Sequence, residues 1–426
     1  MASSHIHVLG LDDKNLATLR KLPGADPYRF HGLLTRAELQ DAETPVPALL
    51  ERAERVLARA EAEPDAIVGY WDFPVSLMVP LLCARHGLRG PDLEAVLKCE
   101  HKYWSRLEQR EVMDEVPWFA LVDPDEENTV PDDIPFPVWL KPVKSYASQL
   151  ALRAADRKEF DAALARIRDE AGAIGDRLAD VLDLVPLPEQ IEAAGPRACL
   201  AEEELSGAQA TVEGYSQGGR VTVYGVVDSV PYPGKSSFLR YQYPSSLPAH
   251  LVRQLEDVTK RVISRFGLDD ATFCVEYFCL PEKGRFSLLE INPRHSQSHA
   301  ELFELVDGIA NHHCMIRLAL GENPQLPFRQ GRFEVAAKWF LRRFTDGTVT
   351  ARAGDAEIAE LEADLDGVRV RPLVDAGTRL SEAPHTHDSY SYELAHLYIG
   401  AHDEQELRRK YDQCVSALGF HVEEVP

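Results

Sequence analysis

Residues 272–294, which read TFCVEYFCLPEKGRFSLLEINPR, constrain the fold more than any other part of the chain. Two runs rich in β-branched and aromatic residues flank a turn, and a three-residue loop ending at Gly284 puts glycine where such loops favour a left-handed residue. This loop predicts an antiparallel hairpin that is symmetric about Lys283. Symmetric pairing places Glu276 opposite Glu290, with Cβ atoms about 5 Å apart on one face.

The two glutamates share their face of the hairpin with Asn292, because side chains alternate along a strand. Facing carboxylates repel unless positive charge lies between them, and two Glu with one Asn form an oxygen-rich set that suits Mg²⁺ or Mn²⁺. The alternative is a pair of solvated glutamates, and a register shift of one residue would separate the pair. The opposite face is predicted to pack against a core through Val275, Tyr277, Leu289 and Ile291.

The first hundred residues alternate strand and helix patterns. A strand at 5–9 precedes a helix, an amphipathic helix covers 47–62, and a buried strand at 65–71 precedes another helix. This alternation predicts an α/β fold that begins with a parallel, doubly wound sheet. Later residues mix strand runs with helices at 248–266 and 403–418.

Composition excludes several classes of protein. The 426 residues carry 46 basic and 69 acidic side chains, a net charge of −23, so neither a nucleic acid nor an anionic membrane is an expected partner. No apolar stretch reaches the roughly 18 residues of a membrane-spanning helix, and the N-terminus does not resemble a secretory signal. Seven cysteines without a CxxC spacing predict reduced thiols and a cytoplasmic location.

The EINPR segment at 290–294 resembles the metal-binding signature of the ATP-grasp superfamily, in the carboxylate–amine ligase branch of D-alanine–D-alanine ligases and L-amino acid ligases. These enzymes activate a carboxylate as an acyl phosphate and join it to an amine. The resemblance implies that Glu276, Glu290 and Asn292 hold Mg²⁺, and that Arg294 stabilises the acyl phosphate and its tetrahedral intermediate. A planar, permanently charged guanidinium suits such developing oxyanions.

Two upstream segments resemble the parts of this family that bind ATP phosphates. Residues 86–107 match the segment that supplies the first ATP lysine, here Lys102, although His101 stands where the family usually has Asp. A Trp-Leu-Lys-Pro run resembles the strand that carries the second lysine, Lys141, which is also expected to act in catalysis. Two ammonium groups on the phosphates offset charge during transfer.

The loop after Lys141 reads KPVKSYASQ and departs from the family pattern. The family usually has glycines here, so that backbone N–H groups wrap the phosphates. Ser145 and Ala147 stand at the usual glycine places, and Ser148 matches a usual serine. The resemblance therefore implies that Ser145 and Ser148 contact ATP.

Residues 200–214, LAEEELSGAQATVEG, resemble the family's adenine-binding hinge. The resemblance implies that Glu202 accepts a hydrogen bond from the adenine amino group and that the backbone around Glu203 and Leu205 reads the ring edge. Gln209 sits where a ribose-binding Glu is common. The alternative for the three consecutive glutamates is an acidic, solvated edge.

The residues after Arg294 read HSQSH, where family members often have a glycine-rich loop. His295, Ser296, Ser298 and His299 are candidate substrate contacts. The imidazoles are expected to bind the acceptor or to take a proton from an attacking amine. The alternative is that His299 begins a helix and only caps it.

Two other groups of residues are weaker candidates. Arg240, with Tyr241 beside it in a loop, is a candidate for gripping a substrate carboxylate, since arginine binds carboxylates with two hydrogen bonds; the alternative is a surface arginine. His385, His387 and Asp388 suggest a metal site, but no third ligand has a clear spacing, so a polar loop is favoured.

The likeness to the family predicts three parts of the chain. Residues 1–98 form an N-terminal α/β domain, residues 99–325 a two-lobed ATP-grasp domain with a smaller lobe at about 135–205, and residues 326–426 a C-terminal α+β lobe. The implied cofactors are ATP and Mg²⁺. The implied partners are a small carboxylate and a small amine, and a homodimer is expected.

The function predicted from these features is an ATP-dependent ligase that makes a dipeptide or an amino acid conjugate. The alternatives are a related enzyme that uses a thiol or bicarbonate, and an inactive ATP-binding protein. The glycine-poor loop favours inactivity, whereas the joint presence of Lys102, Lys141, Glu276, Glu290 and Arg294 favours catalysis.

Overall fold

The computed structural model describes residues 3–125, 131, 133–145, 150–384, 386 and 390–424. The N-terminal part contains a three-stranded parallel sheet in the order β2-β1-β3, which confirms the predicted parallel unit. Its elements are β1 (Ser4–Leu9), α1 (Asp13–Arg20), β2 (Tyr28–Leu33), α2 (Arg36–Gln40), α3 (Val46–Leu57), β3 (Ala66–Gly69), α4 (Val75–His86) and α5 (Leu93–Glu100). Strand β2 was not predicted, because this edge strand has only one fully buried residue and so lacks an apolar run.

A second, four-stranded antiparallel sheet has the order β4-β7-β5-β6 and a small core of its own around Phe160. It lies within residues 119–203 and overlaps the smaller lobe predicted at about 135–205, although β4 precedes that range, and the lobe's boundaries stay a prediction. The elements of this region are α6 (Lys102–Arg110), β4 (Phe119–Val122), β5 (Val138–Pro142), β6 (Leu152–Ala154), α7 (Arg157–Glu170), α8 (Gly172–Leu182), α9 (Glu189–Ala194) and β7 (Cys199–Glu203).

The largest sheet has eight strands in the order β12-β11-β8-β9-β10-β13-β16-β15. Its strands are β8 (Ala208–Gln217), β9 (Arg220–Pro231), β10 (Phe238–Tyr243), β11 (Ala271–Leu280), β12 (Arg285–Asn292), β13 (Val335–Arg343), β15 (Val368–Pro372) and β16 (Tyr392–Ala401). The remaining elements are α10 (Ala249–Phe266), α11 (Ala300–Asp307), α12 (His312–Ala319), β14 (Thr348–Ala351), α13 (Asp355–Asp364), α14 (Glu404–Leu418) and β17 (His421–Glu423). The sheet therefore continues across the predicted boundary between 325 and 326.

One face of this sheet packs against α10, whose Leu251, Leu255 and Val262 are fully buried at helical spacing. Strand alternation sends the apolar residues of β8 and β11 to that face, among them Val212 and Val275. On the opposite face, polar side chains lie over β8, β11 and β12, whereas β10 and β13 pack against α11 through a smaller core that includes Tyr243 and Phe303. No helix in the described ranges is long and apolar enough to cross a membrane.

Gly214 in β8 tests how closely this sheet is packed. A Cβ at this position would lie 2.3 Å from a ring atom of Phe273 and 2.5 Å from the backbone oxygen of Thr222. We expect Gly214→Ala to lower the free energy of unfolding by about 1–3 kcal/mol, the range for overpacking. The control is Gly172→Ala, where nothing lies within 4 Å. Equal urea midpoints for the two variants would contradict the prediction.

Candidate active site

The hairpin of β11 and β12 places Glu276 directly opposite Glu290, as predicted. The route to this register differs from the prediction. The turn has four residues, a short 3₁₀ turn over Pro281–Lys283 followed by Gly284 with φ of 59°. Pairing near the turn is therefore shifted by one residue, and a bulge beside Glu276 restores the predicted register.

The bulge also changes which side chains face the core. Leu288 is fully buried in the core, whereas Leu289 is half-buried and lines a pocket beside Glu290. The prediction that Leu289 packs against the core is wrong, because the extra residue breaks the alternation at this point. Val275, Tyr277 and Ile291 are buried as predicted.

Directly paired strand residues point to the same face of a sheet, so the register collects polar groups from distant segments. Glu290 pairs with Glu276 and Glu276 with Thr211; farther along the same face, Ser229 pairs with Tyr241 and Tyr241 with Lys338. This row, called the polar face below, crosses six neighbouring strands.

Glu276 and Glu290 form a pair of facing carboxylates. Glu290 lies near an ammonium group, whereas the hydrogen-bond partners of Glu276 are neutral amides. Asn292 Nδ2 lies 3.4 Å from Glu276 Oε1, and Gln209 Nε2 donates to Glu276 Oε2 at 3.0 Å. Burial and the charge of Glu290 raise the pKa of Glu276 to about 7. Burial opposes ionisation of Glu290 as well, but the ammonium groups of Lys102 and Lys141 outweigh it and lower the pKa of Glu290.

These donors fit a divalent cation. Carboxylate and amide oxygens are hard ligands of the kind Mg²⁺ prefers, and a cation between the two carboxylates would remove their repulsion. Among the described residues no group of three or more His, Cys, Asp or Glu is arranged to hold a metal ion. The set of Glu276, Glu290 and Asn292 is thus a partial shell, which phosphate oxygens and water would have to complete.

The first pocket collects the predicted lysines. Lys102 begins α6, and its Nζ lies 3.6 Å from Glu290 Oε2 and 3.3 Å from the carbonyl oxygen of Ser145. Lys141 lies in β5, and its Nζ donates to Glu202 at 2.9 Å. The residues that line this pocket include Asp72, Glu100, Lys102, Arg106, Lys141, Lys144, Ser145, Glu202, Glu290 and Asn292. Ser148 and Ala147 lie outside the described residues.

Glu202 has a different environment from the one expected. Its two carboxylate oxygens already bind Arg106 Nε at 2.5 Å and Lys141 Nζ at 2.9 Å, and the residue is 3 % exposed. Burial disfavours the charge, but Arg106 and Lys141 outweigh burial and lower the pKa of Glu202 to about 2. Glu202 is therefore a buried counter-ion that positions two cations. Glu203 ends β7, and its N–H donates to the carbonyl of Trp118 at 3.0 Å.

Sequence reasoning missed Arg106, Glu100 and Lys144. Arg106 Nη atoms also donate to the carbonyls of Leu288 and Leu289, so this side chain joins α6 to β12. The sequence feature that could have identified Arg106 is its position one helical turn after Lys102. Lys144 and Glu100 form a buried ion pair beside the pocket. Leu205 lies in the connection between β7 and β8, and Gln209, near the start of β8, donates a hydrogen bond to Glu276.

Arg294 is held by a carboxylate from the N-terminal sheet. Its Nε donates to Asp72 Oδ1 at 2.8 Å, its Nη2 contacts the same oxygen, and its Nη1 lies 3.4 Å from Cys274 Sγ. Burial raises the pKa of Asp72, but Arg294 outweighs this and leaves the pKa below its usual range. Asp72 was missed in the sequence, although a carboxylate just past a parallel strand is a typical position for a site residue.

A second pocket of about 220 Å³ adjoins the first and shares Asp72 with it. Its lining includes Tyr70, Trp71, Asp72, Thr211, Ser229, Phe238, Tyr241, Cys274, Glu276, Arg294, Ser296, Ser298 and His299. Three of the four residues predicted from the HSQSH run therefore lie together here. The two pockets meet at Asp72, Arg294 and the glutamate pair.

Two predicted substrate contacts lie elsewhere. His295 is fully buried behind the second pocket, where its Nδ1 contacts Thr272 Oγ1 at 3.2 Å. Arg240 is in strand β10 rather than in a loop, and alternation points it away from the polar face; it bonds to Gln242 and lies 3.7 Å from Glu404. The expectation that these two side chains line the pocket is wrong. His385, His387 and Asp388 lie outside the described residues.

Lys338 lies beside this pocket on the polar face and was also missed. Its Nζ donates to Ser298 Oγ at 3.2 Å. Burial and the ammonium of Lys14 lower the pKa of Lys338 to about 7. No local motif marks this lysine, because it comes from β13, forty residues beyond the HSQSH run.

Comparison with known proteins identifies the class. Residues 134–300 match the family model described as ATP-grasp domain. No curated protein sequence matches the chain at a significant level. These residues therefore match an ATP-grasp domain, which agrees with the resemblance to this superfamily seen in the sequence.

Solved structures show that the likeness extends over the whole chain. An L-amino acid ligase from Bacillus licheniformis is 15 % identical, with 100 % of both chains covered and a TM-score of 0.69. A phosphoribosylglycinamide synthetase from Anaerococcus prevotii is 13 % identical, covering 99 % of this chain and 100 % of that one, with a TM-score of 0.67. The biotin carboxylase domain dimer of the Hydrogenobacter thermophilus 2-oxoglutarate carboxylase, in complex with MgADP, ADP and bicarbonate, is 16 % identical, covering 99 % and 91 %, with a TM-score of 0.67. The chain has the ATP-grasp fold throughout.

Replacing Arg106 tests the counter-ion role of Glu202. We expect Arg106→Met, which removes the charge and keeps most of the volume, to lower the free energy of unfolding by about 3 kcal/mol, because it breaks a buried ion pair. The measurement is the urea unfolding midpoint. The control is Arg166→Ala, whose pair with Glu170 is exposed and screened by solvent, so its loss should leave the midpoint nearly unchanged. A loss no larger than that of the control would contradict the prediction.

Proposed function

We propose that this protein is a magnesium-dependent ligase that uses ATP to convert a carboxylate into an acyl phosphate and then joins it to an amine. ADP and phosphate are the other products. The observation that supports this proposal most strongly is the position of Arg294 beside the Glu276–Glu290 pair, where the two pockets meet. A phosphate donor on one side and a carboxylate on the other would meet at this guanidinium.

In this proposal Lys102 and Lys141 bind the phosphates of ATP and offset their charge during transfer. Ser145 and Ser148 complete the phosphate contacts. Glu276, Glu290 and Asn292 would hold Mg²⁺, which would supply positive charge against the phosphates during transfer. We assign these three residues as ligands from the family resemblance and from the donor chemistry of the glutamate pair.

We assign the adenine and the ribose of ATP to residues 202–209, which lead from the end of β7 into β8. The backbone around Glu203 and Leu205 reads the adenine edge, and Glu202 keeps Lys141 in position. Gln209 donates a hydrogen bond to Glu276, so a ribose bound by Gln209 would lie beside the proposed metal ligands. Glu202 retains free lone pairs for the adenine amino group, since each carboxylate oxygen can accept two hydrogen bonds.

Arg294 acts on the transferred group. The carboxylate oxygen attacks the terminal phosphorus of ATP, the bond to ADP breaks, and the acyl phosphate forms within reach of the guanidinium. Its fixed positive charge stabilises the oxyanion that develops when the amine attacks the acyl carbon. Asp72 positions Arg294 by binding Nε and Nη2, while Nη1 lies 3.4 Å from both Cys274 Sγ and the carbonyl oxygen of His295.

The size of the second pocket indicates small reactants. Its volume of about 220 Å³ is below the range of roughly 300–1,000 Å³ that is usual for ligand pockets. Ser296, Ser298 and His299 offer polar contacts, while Tyr241 and Phe238 offer aromatic surface. Amino-acid-sized substrates, and thus a dipeptide or amino acid conjugate as product, suit this pocket.

A bicarbonate-using reaction is the second candidate, because the fold is almost as similar to a biotin carboxylase domain solved with bicarbonate, with a TM-score of 0.67 against 0.69 for the amino acid ligase. A thiol acceptor and an inactive nucleotide-binding protein are the remaining alternatives. We also propose a cytoplasmic location, which the seven buried, free cysteines suit, and a homodimer.

The test is to incubate the protein with Mg-ATP and an equimolar pool of amino acids and small carboxylic acids, and to record phosphate release and product masses. We expect ADP, phosphate and an adduct one water lighter than two pool members. Glu290→Gln, which removes one charge of the metal pair, should abolish product formation. AMP and pyrophosphate instead of ADP would contradict the acyl phosphate, and a bicarbonate-dependent product would favour the second candidate.

Asp72→Asn tests how Arg294 is positioned. The amide cannot balance the guanidinium charge, so we expect Arg294 to lose its orientation and product formation to fall by about 100-fold, the effect of a small misplacement at a reacting centre. The assay uses the same pool of amino acids and carboxylic acids at the same concentration of ATP. Asp161→Asn, on an exposed face of α7, is the control. An unchanged rate in Asp72→Asn would show that the pair has no part in the reaction.

A further inference from the structure

Glu213 is a carboxylate with no exposed surface, and sequence reasoning did not single it out. It lies in β8, on the polar face beside Cys274. Four groups donate to it: His299 Nδ1 at 2.6 Å, Tyr224 Oη at 2.7 Å, Asn311 Nδ2 at 2.9 Å and the backbone N–H of Ser296 at 3.3 Å. Its two carboxylate oxygens therefore accept hydrogen bonds from four groups, which satisfies a buried polar side chain.

This arrangement determines the tautomer of His299. An ionised carboxylate only accepts hydrogen bonds, so Nδ1 of His299 carries the proton that Glu213 accepts. In the neutral imidazole the other nitrogen, Nε2, is then a proton acceptor. Within the described ranges no hydrogen bond to Nε2 is made. His299 is thus a base whose orientation is set by a second residue.

The ring of His299 also lines the second pocket, together with Arg294, Ser296 and Ser298. The ring of Tyr241 packs edge-on against it, with centroids 4.8 Å apart at 86°. The charged groups around it are Glu213 from β8, Arg294 from the end of β12, and Lys338 from β13, which reaches Ser298. His299 and Arg294 therefore line the same pocket, which we assign to the small reactants.

The imidazole of His299 does not act as a helix cap. His299 is the N-cap of α11, but its side chain makes no capping hydrogen bond. Its hydrogen bond runs to Glu213 across the sheet instead. Orientation of a histidine by a buried carboxylate is the arrangement used where an imidazole accepts a proton.

We propose that His299 is the proton acceptor for the attacking amine and that Glu213 is its positioning residue. This inference rests on the proposed ligase function. The amine lone pair forms the C–N bond to the acyl carbon, and an N–H proton of the amine passes to Nε2 of His299. The C–O bond to the phosphate then breaks, and its electron pair leaves with inorganic phosphate, which takes the proton from the imidazolium.

The test separates the two halves of the reaction. Transfer of phosphate to the carboxylate is followed by positional exchange of ¹⁸O between the β,γ-bridge and the β-phosphate of labelled ATP, with the amino acid pool as the carboxylate source. Amide formation is followed by product mass on the same pool. The variants are His299→Asn and Glu213→Gln, and the control is His250→Asn, an exposed histidine of α10.

We expect isotope exchange to continue in both site variants while amide formation falls by about 100- to 10,000-fold, the usual contribution of general acid–base catalysis. The intact first half shows that the variants are folded, so Glu213→Gln cannot act only by unfolding. A parallel loss of exchange and amide formation would overturn the proposal. So would full amide formation in His299→Asn, or a selective loss in Lys338→Met instead. Absence of both exchange and product in the unaltered protein would overturn the proposed function itself.

Discussion

The register of the eight-stranded sheet is the constraint on which the site depends. Because paired residues share a face, this register brings Glu290, Glu276, Tyr241 and Lys338 into one polar row although they come from segments far apart in the chain. A shift of one residue in β11 or β12 would turn its glutamate into the apolar core against α10, and a shift in β13 would turn Lys338 into the apolar core against α14. The bulge beside Glu276 shows that the sheet accommodates an irregular turn without losing this register.

Charge balance is the second organising factor. Two buried ion pairs in the site join different elements: Glu202 from β7 binds Arg106 from α6, and Arg294 binds Asp72 from the loop after β3. Burying such charges is costly unless they are paired, so these pairs also determine how the three sheets meet. The glutamate pair is the exception, since its members repel, and this imbalance is what a divalent cation would relieve.

Local sequence predicted those parts of the site that a short segment contains. The hairpin carries its own turn and alternation, and the lysines lie in motifs of a few residues each. Asp72, Arg106, Glu213 and Lys338 could not be found in this way, because each is an ordinary charged residue until folding places it. Arg240 failed for a related reason: its neighbour Tyr241 faces the polar side, so strand alternation turns the arginine away.

The sequence by itself determined the class of fold and the opposed glutamates, since periodicity and turn residues are local properties, and the resemblance to a known family added the cations beside them. The tertiary structure alone decided which carboxylate neutralises Arg294, that Glu202 binds two cations, and which of the two histidines reaches the pocket. The physical reason is that a side chain's charge state, tautomer and access depend on neighbours from other elements. His295 and His299 are chemically identical in the sequence, and only packing buries the first behind the pocket and couples the second to Glu213.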